Sequence, residues 1–418
     1  MFTLRILWIS HDPVRSHLCE NGSASGFWKE ALLDLLSRHT HYQIFVASPG
    51  RQLKRTEHHH FSFRYKNKPR QHDLPKKTVS DLLWIIHTCR PQLIHIHGTE
   101  QPYGVIKSYT QIPIVISLQG FLSLCYPHVK GGILSSVWNQ YITIKEFILK
   151  TGFPDLSNTW KYNALIEQRQ IRLNQHFIGR TDFDYNFVNE INPTATYYNG
   201  NELLRPAFYI HKWNITKIKR FRIYTSSFTN PLKGFHVLLY AIPHLIGAFP
   251  SIEIIVPGYL TSKMTHPIWG NSYYRLLSDI IHKNNLYDVV LFKGRLNDHD
   301  ICQILCSSHV FVLSSFIENS SNALGEAQLI GLPSVVTPTG GTTSLIEHQK
   351  NALFFEPGNE QSLADQLANL FQDDELANHL SEAAVQFASR FYNPDLINQQ
   401  YSSIYSKIIS LEDSFQRQ

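Results

Sequence analysis

The chain has 418 residues, of which 43% are hydrophobic, 17% charged and 12% aromatic. That length corresponds to roughly two to three domains, and the composition excludes a disordered, collagenous or low-complexity chain. The net charge of +5 is too small to argue for a nucleic-acid partner.

Five cysteines, with no C-x-x-C pair, argue against a disulfide scaffold or a zinc ribbon. Cys302 and Cys306 read as two apolar thiols on one helical face rather than as a metal pair. No apolar run reaches the roughly 18 residues of a spanning helix. Residues 4–9 are too short for a secretory h-region and are broken by Arg5. The expected location is cytoplasmic, with any membrane contact peripheral, on the inner face.

Apolar runs at 4–9, 43–47, 93–97, 114–118, 176–178 and 194–198 predict strands, and further runs follow at 222–225, 252–256, 289–292, 310–313 and 334–337. Many are continuous Ile, Val, Leu and Phe, as in strands buried on both faces. Between them, helical periodicity marks 27–38, 80–89, 133–150, 235–249, 272–284 and 300–307, and a last helix 398–411. Alternating strand and helix means an α/β fold with parallel sheets. The alternation pauses where Pro206, Trp213 and a basic cluster occur. The expected division is a domain at 1–206, a linker at 207–220, a second domain at 221–390 and a terminal helix at 391–418 that returns to the first domain.

Residues 51–77 hold nine cations and two acids, an excess larger than that of the whole chain. The run His58-His59-His60 reads as a solvated loop, because three adjacent histidines cannot share a helical face. Phe61, Phe63 and Tyr65 alternate with polar residues, as in a short edge strand. Two readings stay open for this stretch: a solvated basic loop, or a contact with an anionic leaflet.

Chemistry concentrates at 310–338. A buried strand runs into a polar stretch whose residues 319–322 can cap a helix stopped by Gly331-Leu332-Pro333. Glu318 is thereby placed at a strand's C-terminal edge, where α/β proteins hold ligands. The new helix offers free N–H groups to an anion, and Glu326 lies about two turns on. A carboxylate beside a helix end suits a phosphate attached to a polyhydroxylated group. Spacing alone equally allows a capping acid and a surface glutamate.

Glu318, seven intervening residues and Glu326 resemble the E-x7-E motif of family 4 retaining glycosyltransferases, with Asn322 between them and Ala327 after. Asn230-Pro231-Leu232-Lys233-Gly234, Val256-Pro257-Gly258, Phe292-Lys293-Gly294, Gly340-Gly341 and 351–358 resemble the same family. In the first half, Gly26-Phe27-Trp28, His97-Gly98-Thr99-Glu100, Gln119-Gly120 and Ile178-Gly179-Arg180-Thr181 resemble bacterial members that build surface polysaccharides. The resemblance covers about residues 3–390. It implies the GT-B fold, two Rossmann-like domains facing a cleft.

The resemblance also implies transfer of a sugar, with retention, from a nucleoside diphosphate to a hydroxyl of a glycan or lipid-linked acceptor, without a metal or other cofactor. On this basis Glu318 and Lys233 are the expected catalytic residues. Glu326, Asn322, Ala323, Leu324, Gly258, Arg295, Gly26 and Arg180 are expected to bind the donor. Gln119, His97 and Glu100 are expected on the acceptor side. An arginine usual five positions before the lysine is Phe228, a histidine is Gln119, and an acid after the Gly-Gly turn is Ser344. The alternatives are a GT-B epimerase or phosphorylase, or a non-catalytic sugar-nucleotide-binding subunit. Asp298-His299-Asp300 looks like a metal-binding D-x-D but opens a helix, where capping is the expected role. No G-x-G-x-x-G occurs, which argues against a dinucleotide oxidoreductase.

Overall fold

The computed structural model describes residues 3–12, 14, 27–38, 41–55, 59–66 and 73–415. Gly26, His58, Lys68 and Arg70 lie outside the described residues. The chain divides into two units. The first is Met1–Ser123, Thr159–Leu204 and Tyr392–Gln418; the second is Leu124–Asn158 and Arg205–Phe391.

The first unit contains β1 (Leu4–Ser10), β2 (Tyr42–Gly50), β3 (Lys54–Arg55), β4 (His60–Arg64), β5 (Leu93–His97), β6 (Ile114–Ser117), β7 (His176–Gly179) and β8 (Thr196–Asn199). They form one sheet in the order β3-β4-β2-β1-β5-β6-β7-β8, parallel except for the β3–β4 pair. Ile6 to Ile9 and Leu93, Ile94 and Ile96 are fully buried, as expected of strands covered on both faces. The helix Pro394–Phe415 completes this core, packing Ile397, Tyr401, Tyr405 and Ile408 with Trp8, Leu32 and Val46. Tyr405 also bonds the buried His95 at 2.8 Å.

The second unit contains β9 (Arg222–Tyr224), β10 (Glu253–Val256), β11 (Val290–Phe292), β12 (Val310–Leu313), β13 (Ser334–Val336) and β14 (Leu353–Phe354). Their order is β11-β10-β9-β12-β13-β14, all parallel. The strand order reverses direction between β1 and β5 in one sheet and between β9 and β12 in the other. Crevices outside the carboxyl ends of strands at such points are where doubly wound sheets bind ligands.

Four expectations are corrected. Residues 124–158 belong to the second unit, not to the first domain, because their buried polar groups find partners there. The Gly131 carbonyl accepts from His236 Nε2 at 2.9 Å, and Glu146 accepts from the Ser272 N–H at 3.1 Å. The helix expected over 133–150 is two short helices, Ser135–Tyr141 and Ile144–Leu149. Residues 207–220 are not a free linker: the Trp213 indole N–H donates to Ser308 O at 2.8 Å, and Lys212 Nζ to Leu329 O at 3.0 Å. Finally, the basic stretch 51–77 is not simply a solvated loop. Phe61 and Phe63 are buried core residues of β4, and Arg64 is paired with the buried Asp81. Their alternation with polar residues reports a sheet face, not a membrane face.

His236 and His309 are both buried in the second unit, and that burial pushes the pKa of each down to about 4, because it disfavours the imidazolium form. His236 is fixed as a neutral ring, since Nε2–H donates to Gly131 O and Nδ1 faces the Tyr273 hydroxyl at 3.0 Å. In the unfolded chain both rings take up protons below about pH 6.5, so the unfolded state binds more protons and stability falls as pH falls from about 6.5 to about 4. Each histidine should contribute up to about 1.4 kcal/mol of loss per pH unit in that window. Denaturant melts at pH 7 and pH 5 should show this difference, and H236Q/H309Q should reduce it. Coincident wild-type melts at the two pH values would mean that neither ring is held neutral.

Candidate functional site

In the second unit the site begins in the loop after β9. Asn230 caps the turn Pro231–Lys233, its side chain accepting from the Leu232 N–H at 3.0 Å. Gly234 follows with φ 68°, and a Cβ there would collide with Ser314 O. Only glycine allows that approach. The turn is thereby tied to the end of β12: the Phe316 N–H donates to Leu232 O at 2.8 Å, and Ser314 Oγ to Lys233 O at 3.0 Å. A second close approach comes from the segment 124–158, where a Cβ on Gly131 would collide with Pro231 O.

This stitching brings Lys233 and Glu318 together at the β9/β12 switch point. Lys233 Nζ lies 2.5 Å from Glu318 Oε1, which also accepts from Ser315 Oγ at 2.7 Å. Glu318 is buried, whereas the Lys233 side chain is 36% exposed, so its ammonium remains within reach of a ligand. The Glu318 carbonyl accepts from the Gly341 N–H at 2.9 Å, which joins the Gly-Gly turn to the same loop.

Four residues after Glu318 the helix Asn322–Ile330 begins. Ser321 caps it and takes the Leu324 N–H at 3.4 Å, so of the three amides expected to face an anion, Leu324 is already engaged. The N–H groups of Asn322 and Ala323 have no acceptor among the described residues. Glu326 lies inside this helix and is buried. Both its oxygens are held by Arg205, through Nε at 2.6 Å and Nη2 at 2.7 Å, while Arg205 Nη1 reaches Asp298 at 2.7 Å. Burial raises the Glu326 carboxyl above its ordinary range and works against the Arg205 cation, but the two carboxylates outweigh it and hold Arg205 above its usual value. The guanidinium therefore stays charged.

Asp298 and Asp300 open the helix Asp298–Ser307, and Asp300 completes a capping box with Asn297. Among the described residues no group of His, Cys, Asp and Glu is arranged to hold a metal ion. Gly258 and Gly294 exchange two backbone hydrogen bonds, at 2.7 and 2.9 Å. Arg295 is exposed, with no partner among the described residues. Phe228, five positions before Lys233, is buried against Phe235, Tyr274 and Phe292.

In the first unit the expected residues gather at the C-terminal ends of β5, β6 and β7. Gln119 Nε2 donates to Glu202 at 2.5 Å, and Arg180 is ion-paired with the same carboxylate, both charges being buried. The Arg180 guanidinium is thus committed within its own unit. Glu100 accepts from the Gly120 N–H at 2.8 Å, and burial raises its carboxyl pKa. His97 is buried against Trp8 and His95, at 4.5 and 4.1 Å between ring centres, and its nitrogens have no partner among the described residues. Burial keeps it well below its ordinary pKa, hence neutral.

Sequence reasoning missed several neighbours. Lys29 Nζ bonds Ser10 Oγ at 2.9 Å and lies 3.5 Å from Asp12, and His11 Nδ1 lies 2.9 Å from the Tyr103 hydroxyl. The polar run Ser10-His11-Asp12 at the end of the first strand was the available signal. Arg205 and Glu202 carried no local signal at all.

The family described as Glycosyl transferases group 1 matches residues 209–387. The N-acetyl-alpha-D-glucosaminyl L-malate synthase of Bacillus anthracis is 28% identical over 130 residues, 31% of this chain and 34% of that protein, so the match spans about a third of that relative's length. Among solved structures, sucrose-phosphate synthase from Thermosynechococcus elongatus aligns with a TM-score of 0.71 at 12% identity, covering 97% of this chain and 100% of that one. Anabaena HepE, in complex with UDP-glucose, aligns with a TM-score of 0.67 at 17% identity, covering 96% and 100%. At those identities the likeness is one of fold. The fold is GT-B, and residues 209–387 match the family described as Glycosyl transferases group 1.

Proposed function

We propose that this chain transfers a sugar, with retention, from a nucleoside-diphosphate sugar to a hydroxyl acceptor. The observation that carries the reading is the Lys233–Glu318 pair at the β9/β12 switch point, beside the start of the helix Asn322–Ile330. HepE, of the same fold, has been solved with UDP-glucose, which supports a nucleotide-sugar donor.

In this reading Lys233 keeps one N–H on Glu318 and turns the others toward the diphosphate, because an ammonium has three donors. The N–H groups of Asn322 and Ala323 face the same charge as it develops on the leaving phosphate. Glu318 accepts from a hydroxyl of the transferred sugar. Glu326, fixed by Arg205, still has lone pairs for the ribose hydroxyls, since a carboxylate offers about four acceptor positions. The bond from the anomeric carbon to phosphate oxygen breaks, the acceptor oxygen bonds the same face, and its proton passes to the departing phosphate. No protein base is required, and positioning supplies much of the rate. The first-unit cluster of His97, Glu100, Gln119 and Lys29 is the proposed acceptor side. The acceptor is a glycan or lipid-linked hydroxyl, and Arg295 and Gly258 are proposed along the donor.

A second reading rests on Phe228. Apolar and buried, it offers no cation to the donor site, which favours a subunit that binds a sugar nucleotide without turning it over. Transfer or donor hydrolysis by the purified protein decides against that reading. A thermal-shift screen of nucleotide sugars identifies the donor, since a ligand at about 100 times its Kd stabilises by about 2.7 kcal/mol.

E318A and K233A should each lower kcat by about 100-fold or more, with E318A changing nucleotide affinity less. E326Q should raise the donor Kd about ten-fold, in line with about 1.5 kcal/mol for a hydrogen bond to a charged group. E326A should in addition destabilise the protein by about 3–5 kcal/mol, because Arg205 is left buried beside only Asp298. Normal kinetics and affinity in all of these variants would refute the site. Activity should also persist after exhaustive chelation, because Lys233 and the helix amides stabilise the leaving group; a strict need for manganese would overturn that assignment.

A further inference from the structure

The helix Ile144–Leu149 is amphipathic in the wrong sense for a core. Its one carboxylate, Glu146, faces inward and is buried. There it accepts from the Thr143 N–H at 3.0 Å and from the Ser272 N–H at 3.1 Å, at the start of the helix Ser272–Lys283. A negative charge at a helix N-terminus is well placed electrostatically. With Glu146 anchored inside, Ile144, Phe147 and Ile148, at spacings of three and four, share the opposite face and point to solvent. Phe147 is 78% exposed and Ile148 69%.

A second element extends this face. The Ile144 and Lys145 N–H groups donate to the carbonyls of Pro267 and Ile268, at 3.2 and 2.9 Å, which lays the loop 261–270 alongside the helix. Trp269 in that loop is 68% exposed. The loop is held closed by Gly270 N–H to His266 O at 2.8 Å and Asn271 N–H to Met264 O at 2.9 Å. The display is therefore built by hydrogen bonds rather than left by fraying. A cluster of large exposed apolar side chains of this kind marks an interaction site.

Charge identifies the partner. Lys145 and Lys150 flank the apolar face and Lys263 lies in the adjoining loop, all three exposed. Residues 141–150 and 259–271 contain no acid other than the buried Glu146. An aromatic and aliphatic face ringed by lysines matches the headgroup boundary of an anionic bilayer, where Trp sits at the interface and lysine stems extend to the phosphates.

We propose that Ile144, Phe147, Ile148 and Trp269, with Lys145 and Lys150, dock the protein on an anionic membrane surface. This surface lies in the second unit, whereas Phe61 and Phe63 of the basic stretch 51–77 are buried. The proposal does not rest on the transfer reaction and is tested without it.

The test is flotation of the full chain with vesicles of phosphatidylcholine alone or with about one third phosphatidylglycerol. Wild type should float with the anionic vesicles at low salt and much less in about 0.5 M NaCl, as screening requires. F147S/I148S/W269S should reduce the bound fraction at least ten-fold, with its thermal midpoint unchanged because the side chains are exposed. K145Q/K150Q should weaken binding to the anionic vesicles and leave any binding to phosphatidylcholine alone as it is. Wild type that ignores anionic vesicles at low salt overturns the proposal. So does binding that survives F147S/I148S/W269S, or a wild-type dimer that the same substitutions split while neither form binds vesicles.

Discussion

The Lys233–Glu318 ion pair is the contact that holds the second unit's candidate site together. It joins two loops that leave neighbouring strands at the point where strand order reverses. The pair exists because Gly234 lets the backbone approach Ser314 to a distance no side chain would allow. A buried carboxylate would ordinarily be destabilising. Here it is offset by an ammonium at 2.5 Å and a serine hydroxyl at 2.7 Å, and the lysine stays partly in solvent, where it can change partners.

The Arg205–Glu326 fork works differently. Both partners are buried, and the arginine is further held by Asp298 and stacked over the Phe208 ring at 4.5 Å. Buried pairs of this kind contribute little net stability, yet removing one partner is strongly destabilising. Their value is geometric: a bidentate fork sets the plane of the carboxylate. Phe228 shows the opposite arrangement nearby, with aromatic packing taking the place of a charge. The first unit holds a second buried pair, Arg180 with Glu202, but through the single carboxylate oxygen Oε1, which Gln119 also reaches, rather than through a fork.

The helix Ile144–Leu149 departs from the rule that apolar side chains go inside. A single inward glutamate with strong partners sets its rotation, and the apolar stripe is the consequence. Among the described residues no helix is long and apolar enough to cross a membrane.

Much was legible from the sequence, and the reason is local. Strands buried on both faces read as unbroken apolar runs, which is why Leu93–His97 and Val310–Leu313 match their runs to the residue. The E-x7-E spacing and the Asn230–Gly234 turn are contiguous, so Glu318, Glu326 and Lys233 were visible as candidates. What brings Lys233 to Glu318, 85 positions apart, and Arg205 to Glu326, 121 apart, is tertiary structure alone. Periodicity reports that a face is covered and not what covers it. For that reason the allocation of residues 124–158 to the second unit, the burial of Phe61 and Phe63 within a basic stretch, and the outward face of Ile144–Leu149 were decided only by packing. Each depends on where a buried polar group or an apolar face finds its partner, and those partners are distant in the chain.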